Sequence, residues 1–587
     1  MAGTATSNAK HPKGIYVLFF TEMWERFGYY LMLGIFSLYM LDGWNNGGMG
    51  FSASKKSDIY GTYLGLVYLT PFIGGLLADR LIGYRKSIVM GGLMMAAGYF
   101  SLSIHSETTF FLGLFLIILG NGFFKPNIST MVGNLYSNDA LKEKKDAGYN
   151  IFYMGINVGA FICNFVAAYM RNNYGWGHAF AAAGVGMIIG VIIFLVFTKH
   201  IKHVDVIKPL KKGDMPTGKI LGLTVLPMFA FGVLGYLIPG NILGTDTNDA
   251  FIIGCLPVIG FFIYLAVKPT KAGEALDSEA IETDKKEKRA IKALLAVFVC
   301  VILFFAIFHQ NGDALTVWAE DYTERSMSPA IANVASEVDM VQIVENNDIV
   351  SADETTFNNA ISERRAQEEK MPNVTKEEIE ARKEYGRQTG ILEKSRKYFS
   401  NLEASAVPAK GQDLKLYSTE LYQSVNPFWV IVLTPLLVGV FGMMRKKNRE
   451  PSTPTKIGIG LIITALSSLV MVGAVLATND LSGKASAWWL IASYGVITLG
   501  ELCLSPMGLS LVSKLSPPRI TALMMGGFFL AISVGNKLSG MLSSLWEVIE
   551  KKENYFYLNF GLVLGAGILL FVMLKWLNSV MRENNVH

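Results

Sequence analysis

The sequence predicts an all-α polytopic membrane protein with about fourteen transmembrane helices. Three observations support this prediction: 51% of the 587 residues are hydrophobic, 17% are charged, and the apolar residues occur in long blocks separated by short polar stretches. A helix that crosses the bilayer core needs about 20 mostly apolar residues, and each block supplies roughly that number. The same composition excludes a disordered chain, a disulfide scaffold and an ordinary cytosolic enzyme.

The apolar blocks place the candidate spans near residues 15–41, 57–79, 87–105, 109–135, 148–171, 176–198, 217–238, 249–267, 290–317, 427–444, 456–478, 486–512, 519–546 and 554–580. The first block carries charged residues at its centre and is not followed by a small-residue cleavage pattern. We therefore interpret it as a retained helix and not as a signal peptide.

The spans divide the chain into five parts. These are an N-terminal six-helix bundle (1–200), an inserted helix pair with its linkers (201–289), the first helix of a C-terminal bundle (290–321), a soluble insert (322–425) and the remainder of the C-terminal bundle (426–587).

A short pattern that occurs twice suggests that the two bundles are related. Gly120 and Pro126 in the fourth span have the same separation as Gly500 and Pro506 in the twelfth. If the inserted pair is set aside, each of these spans is the fourth helix of a six-helix half. Paired repeats are typical of secondary transporters, whose sites lie between the halves near the middle of the bilayer.

Basic residues in alternate connections predict the orientation. They include Lys10, Lys13, Arg85, Lys86 and the basic runs within 285–289 and 445–447, whereas Lys55 and Lys56 are exceptions. Because cytoplasmic loops are enriched in Lys and Arg, we expect both termini in the cytoplasm. The insert then lies on the outer side, where its dense charges predict solvated helices. It is either a cap or spacer, or a domain that binds an unknown extracytoplasmic partner.

Charged residues inside the spans predict the functional site. Glu22, Glu25 and Arg26 occupy the middle of the first span, where each charge costs about 2.5–3.5 kcal/mol unless it faces protein or water. Their spacing places them on one helix face. Lys125 in the fourth span is the natural counter-charge for the second carboxylate. Protonation of a carboxylate would free Lys125 to bind another group, which is a physical basis for proton coupling. The alternative is an ion-pair cluster that locks helices together.

Polar residues of other spans extend this candidate site. Tyr30 continues the charged face of the first span. Tyr153 and Asn157 share a face of the fifth span. Together with Tyr68 in the second span, they either line a cavity or form hydrogen bonds between helices.

The C-terminal half contains one carboxylate at membrane depth, Glu501, with Ser505 one helical turn later. A buried carboxylate requires a cation, and the ammonium group of a substrate would supply one. Asn311, late in the ninth span, and Asn426, at the start of the tenth, are further polar candidates in this half.

The sequence contains no pattern for enzymatic or metal chemistry. The four cysteines lie in apolar blocks at unrelated spacings, and zinc-protease, serine-hydrolase and dinucleotide-binding motifs are absent. The net charge of +5 reflects basic loops and not a nucleic-acid footprint. We therefore expect no enzymatic activity, no metal, no cofactor and no nucleic-acid partner, and a lipid bilayer as the surroundings.

These features together resemble the proton-dependent oligopeptide transporter family of the major facilitator superfamily. Residues 22–30, EMWERFGYY, resemble the motif of the family's first helix, and residues 124–127, 152–159 and 501–506 resemble further signatures. The resemblance implies two six-helix bundles plus the extra helix pair that bacterial members have. It also implies location in the inner membrane and import of di- and tripeptides by alternating access, driven by the proton gradient.

The same resemblance assigns roles to individual residues. Glu22, Glu25, Arg26 and Lys125 would couple the proton to the peptide, and Glu501 would receive the peptide's amino terminus. The resemblance implies a substrate-binding set of Tyr30, Tyr68, Lys125, Tyr153, Asn157, Asn426 and Glu501. We add Asn311 and Ser505 to this set because they are polar residues within the spans of the C-terminal half.

Two positions depart from the family pattern. Leu33 stands where peptide-transporting members usually carry a second Arg, and His309 stands where a Glu is common. These departures leave open a proton-coupled transporter of another small zwitterion or anion. A second alternative is a receptor or sensor on a transporter scaffold, with the insert 322–425 as its interaction domain.

Overall fold

The computed structural model describes residues 10–137, 141, 145–206, 216–267, 278–337, 341–372, 375–517 and 521–584. Its helices are α1 (Gly14–Leu41), α2 (Ala53–Leu77), α3 (Tyr84–Leu102), α4 (Glu107–Leu135), α5 (Lys145–Tyr174), α6 (Trp176–Val196), α7 (Thr217–Leu223), α8 (Val225–Leu237), α9 (Asp246–Val267), α10 (Ser278–Phe308), α11 (Ala314–Asp321), α12 (Pro329–Glu337), α13 (Glu354–Lys370), α14 (Lys376–Phe399), α15 (Val425–Lys446), α16 (Thr453–Ala477), α17 (Ala487–Leu515), α18 (Thr521–Val548) and α19 (Lys552–Glu583). Its strands are β1 (Thr323–Glu324), β2 (Val341–Asn346), β3 (Gln412–Tyr417) and β4 (Ala485–Ser486).

Each of the fourteen predicted spans coincides with a helix or a pair of helices. The seventh span is divided into α7 and α8, and the ninth into α10, a 3-10 turn at His309–Gly312 and α11. Within the described residues, ten helical segments are long and apolar enough to cross a membrane by length and composition. The first three helices do not meet that criterion, and the segment Leu221–Leu237 is shorter. Parts of the linkers predicted within 201–289, namely 207–215 and 268–277, lie outside the described residues.

Helix packing repeats between the two halves. The N-terminal half comprises α1–α6, and the C-terminal half comprises α10, α11 and α15–α19. A Cβ added at Gly120 in α4 would lie 2.6 Å from the carbonyl oxygen of Gly91 in α3, and one added at Gly500 in α17 would lie 2.8 Å from that of Gly460 in α16. The repeated glycines therefore occupy equivalent positions, at which two helix backbones approach closely.

The insert is a small α/β unit. Strands β2 and β3 pair antiparallel, with Val341 opposite Tyr417, and Val344, Tyr398 and Leu416 form a small core. The sequence predicts solvated helix across 363–397, but α13 ends at Lys370, just before Met371 and Pro372. Proline has no N–H to donate and disfavours helical backbone at the preceding residue, which explains the interruption. A new helix, α14, begins at a capping box on Thr375 and Glu378.

The chain termini lie at one end of the helical bundle and the insert lies at the other. Helix α1 begins and α19 ends on one side, which we call the terminal face. The insert joins α11 to α15 on the opposite side, which we call the insert face.

Candidate functional site

A buried charge cluster lies on α1. The guanidinium of Arg26 contacts both carboxylates: Nη2 donates to Glu25 Oε1 at 2.7 Å, and Nε lies 3.3 Å from Glu22 Oε1. Tyr29 packs its ring 4.9 Å from the guanidinium carbon. One face of α1 therefore holds both carboxylates and a cation, as the spacing predicts, and all three side chains are buried.

Lys125 lies beside this cluster and does not join it directly. Its Nζ lies 4.1 Å from the centre of the Tyr68 ring, and the side chain is within electrostatic reach of Glu22, Glu25 and Arg26. The sequence predicts Lys125 as the counter-charge of the carboxylates, but Arg26 occupies that position. The guanidinium of Arg26 has several N–H donors and can bind two carboxylates at once. The ammonium of Lys125 instead lies over the face of the Tyr68 ring.

His309 reaches the same aromatic ring from the C-terminal half. Its ring centre lies 5.7 Å from that of Tyr68 and 5.5 Å from that of Phe305, on which it stacks. Lys125 and His309 thus both contact Tyr68. Leu33 packs into the hydrophobic core of the N-terminal half. Tyr68 and His309 therefore form an aromatic contact between the two halves.

The predicted polar residues of α1, α2 and α5 lie near Glu501 of the C-terminal half. Tyr153 is 40% exposed, yet it lies within electrostatic reach of Tyr30, Tyr68 and Glu501, which are half-buried. Asn157 is buried, and its side chain donates to the Tyr153 carbonyl at 2.9 Å. These residues therefore lie close together where the two halves meet, and the Tyr153 side chain is the most exposed of them.

Glu501 faces the cluster from α17. Its Oε2 accepts a hydrogen bond from Asn426 Nδ2 at 3.3 Å, and Asn426 also donates to Thr498 Oγ1 at 2.7 Å. Ser505, one turn further along α17, is half-buried. Among the described residues, no Lys or Arg lies within ion-pair distance of Glu501. The carboxylate is therefore available to a cation from outside the protein.

Asn311 belongs to a hydrogen-bond network that sequence reasoning locates only in part. Its carbonyl accepts from Gln423 Nε2 at 2.9 Å and from the Tyr494 hydroxyl at 3.1 Å. The neighbouring Gln310 accepts from the Tyr555 hydroxyl at 2.8 Å. Gln423 lies at the end of the predicted insert, where nothing in the sequence marks it as part of the membrane domain.

Polar contacts join the two halves near the insert face. Lys56 and Asp313 form an ion pair that is almost completely buried, and Ser37 Oγ donates to the Gly312 carbonyl at 2.8 Å and to Asp313 Oδ1 at 3.3 Å. From the sequence alone, Lys56 is expected in a loop and is an exception to the orientation rule. The carboxylate at Asp313, late in a span, was the signal that a cation had to lie nearby.

Two further ion pairs join the halves near the insert face. Arg171 of α5 pairs with Glu420, and Lys537 Nζ lies 2.5 Å from Asp58 Oδ1. Each pair joins one half to the other, and each lies in the part of its helices near the insert. The conformation is therefore closed toward the insert face.

The charged side chains at this site can bind a ligand by electrostatic attraction. In the described part of the chain, no cluster of three or more His, Cys, Asp or Glu side chains has the arrangement to hold a metal ion. The site has Arg26 and Lys125 on the N-terminal half and the carboxylate of Glu501 on the C-terminal half. It can bind a molecule with opposite charges at its two ends.

Comparison with known proteins locates this architecture in a family. A family model described as the POT family matches residues 85–228 and 414–558. The chain is 29% identical over 572 residues to the uncharacterized transporter YclF of Bacillus subtilis, covering 95% of this chain and 93% of the relative. It is 28% identical over 583 residues to a di-/tripeptide transporter of Lactococcus lactis, covering 97% of each.

Solved structures agree with the sequence matches. A peptide transporter POT in complex with sulfate superimposes with a TM-score of 0.71 at 26% identity, covering 97% of this chain and 96% of that one. A mutant of a peptide transporter POT in complex with alafosfalin gives a TM-score of 0.69 at 26% identity, with the same coverage. The predicted all-α membrane fold is confirmed by these superpositions and by the helices described above.

Proposed function

Because the chain belongs to the POT family, we propose that it is a symporter that imports di- and tripeptides by alternating access, driven by the inward proton gradient. It is a transporter and not an enzyme. The relatives named as di-/tripeptide transporters align along nearly the whole chain, which supports a shared substrate class.

The observation that carries this proposal is that cationic side chains and the carboxylate of Glu501 lie on opposite halves of the protein. Arg26 and Lys125 lie on the N-terminal half, whereas Glu501 lies on the C-terminal half with Asn426 as its hydrogen-bond donor. Tyr30 and Tyr68 are within electrostatic reach of both Arg26 and Glu501 and so lie between the two poles. A zwitterionic peptide would place its carboxylate at Lys125 and its ammonium at Glu501.

Proton coupling follows from the cluster on α1. Glu22 and Glu25 share one guanidinium, so protonation of either carboxylate leaves a surplus positive charge among Arg26 and Lys125. That surplus favours binding of the substrate carboxylate. Deprotonation of that carboxylate makes the cluster neutral again and weakens binding of the substrate. The proton and the substrate carboxylate therefore bind together, which is the requirement for symport.

We place the termini in the cytoplasm and the insert on the outer side of the inner membrane, as the distribution of Lys and Arg predicts. With this orientation, the ion pairs on the insert face close the outer side, and we infer from the exposed Tyr153 side chain that the site is open toward the inside. The structure then corresponds to the substrate-releasing stage of the cycle.

Uptake of labelled dialanine into proteoliposomes tests the proposed function. We expect accumulation above equilibrium when an inward proton gradient is imposed, and equilibration alone without it. Leu33 and His309 motivate the alternative of another small zwitterion or anion, so competition by a panel of peptides and non-peptide zwitterions belongs to the same experiment. Failure of correctly inserted protein to accumulate dialanine, together with gradient-driven accumulation of a labelled non-peptide zwitterion, would establish that alternative.

Glu501→Gln is expected to discriminate between substrates by their amino groups. The neutral amide keeps the shape of the side chain but loses the charge that attracts an ammonium, so the apparent affinity for dialanine should fall about 10-fold to 100-fold. An N-acetylated dipeptide lacks that ammonium and should lose little. Inhibition constants for both ligands measure the difference, and equal losses would remove Glu501 from this role.

A further inference from the structure

The insert is fixed to the C-terminal half. Its chain joins α11 to α15, and strand β1 pairs with β4, with Thr323 opposite Ala485. Lys397 Nζ lies 2.7 Å from Asp321 Oδ1, and Asn401 donates to the Asp321 carbonyl at 3.3 Å. When the two halves move relative to each other, the insert must therefore travel with the C-terminal half.

The same insert also holds the N-terminal half, through the loop between α1 and α2. Lys394 Nζ on α14 lies 3.1 Å from Asp42 Oδ2. Arg365 Nη2 on α13 donates to Asn46 Oδ1 at 2.8 Å, and Asn46 Nδ2 donates to Glu393 Oε2 at 3.3 Å. These contacts cross from one half to the other, outside the helical bundle.

The electrostatics of the loop suit a contact that can open and close. Burial alone would raise the pKa of Asp42, but Lys394 and Arg171 together hold it below its usual value, so Asp42 is ionised at neutral pH. A cavity of about 200 Å³ lies between the insert and the two halves, with Asp42, Arg171, Glu320, Arg325, Lys394 and Lys397 in its wall. The Lys394 side chain is 32% exposed, so water can replace its contact with Asp42 when the surfaces part.

We infer that the insert is a latch in the transport cycle: Arg365, Glu393 and Lys394 hold the loop between α1 and α2 while the insert face is closed, and they release it before that face opens. The three residues act as positioning residues because they touch the moving half and not the substrate. The inference rests on the proposed function, since it requires the halves to alternate.

A reversible disulfide tests the latch. A Cβ added at Gly390 on α14 would lie 2.9 Å from Asn46 Cγ, so cysteines at these two positions are close enough to bond. The four native cysteines are buried, which makes oxidation of the new pair selective. In proteoliposomes, Asn46→Cys/Gly390→Cys should transport dialanine when reduced and lose at least 10-fold in rate when oxidised, with recovery on reduction.

The matched control links the insert to its own half. Glu324 and Ser486 are partners in the β1–β4 pair and both are exposed. The oxidised variant Glu324→Cys/Ser486→Cys should transport within about twofold of its reduced form, because this bond joins parts that move together. Mass spectrometry verifies both bonds. Undiminished transport by the fully oxidised 46–390 variant would overturn the latch, whereas absence of uptake by reduced and unmodified protein would count against the proposed function.

A charge-reversal cycle provides a second measurement that does not depend on disulfide formation. Ser424→Cys serves as a reporter, since Ser424 is buried between the halves and bonds to Asn164 of α5 at 3.1 Å. Lys394→Glu places a second carboxylate against Asp42, and the repulsion should favour opening of the insert face. The rate at which a maleimide added on the outer side labels the cysteine at position 424 should therefore rise several-fold. Addition of Asp42→Lys should lower that rate again. An unchanged labelling rate in Lys394→Glu would overturn the latch, and it would do so even if the transported substrate were not a peptide.

Discussion

Replacement of Lys125 by Ala is expected to abolish accumulation of dialanine in proteoliposomes. Lys125 Nζ lies over the Tyr68 ring and within electrostatic reach of Glu22, Glu25 and Arg26. It is therefore well placed to bind a carboxylate from the substrate when a proton neutralises one from the protein. Without Lys125, the substrate carboxylate would be buried without its counter-charge, at a cost of about 3–5 kcal/mol. This cost corresponds to a loss of at least roughly 100-fold in uptake.

The initial rate of gradient-driven uptake measures this effect. Lys55→Ala is the matched control, because Lys55 is an exposed lysine that pairs with Glu107 at 3.1 Å on the insert face. It should keep nearly all of its activity. If Lys125→Ala accumulated dialanine as the unmodified protein does, Lys125 would have no part in coupling or in substrate binding.

Replacement of either Lys56 or Asp313 by Ala is expected to destabilise the protein strongly. The two side chains are buried against each other, and Ser37 adds a hydrogen bond to the carboxylate. Removal of one partner leaves the other charge buried and uncompensated, at a cost of about 3–5 kcal/mol. The thermal unfolding temperature of the detergent-solubilised protein should fall in both single variants, and unfolding at the unmodified temperature would contradict this account.

A paired substitution separates stability from gating. In Lys56→Met/Asp313→Leu no charge is buried, so the unfolding temperature should recover toward that of the unmodified protein. Uptake should nevertheless be slower than in the unmodified protein. Water solvates the two charges once they separate, which favours opening of the insert face, whereas exposure of two apolar side chains to water opposes that opening. Restored uptake in this variant would show that the pair stabilises the fold without acting as a gate.

The sequence by itself determined the transmembrane helices and the charged face of α1. Long apolar blocks can satisfy their backbone polar groups in a bilayer only as helices, so the blocks predicted where the helices lie. The spacing of Glu22, Glu25 and Arg26 likewise determined that they share a face, because helical periodicity is local. The glycine positions at 120 and 500 also followed from a local pattern.

Only the tertiary structure decided which charges pair across the molecule. Arg26 and not Lys125 contacts the carboxylates, Lys56 is a buried partner of Asp313, and Lys394 of the insert reaches Asp42 of the other half. These pairs join residues far apart in the chain, and their choice depends on helix tilt, side-chain reach and competition among several possible partners. Local sequence patterns contain none of that information, because the energy of an ion pair depends on distances and burial that exist only once the halves have packed together.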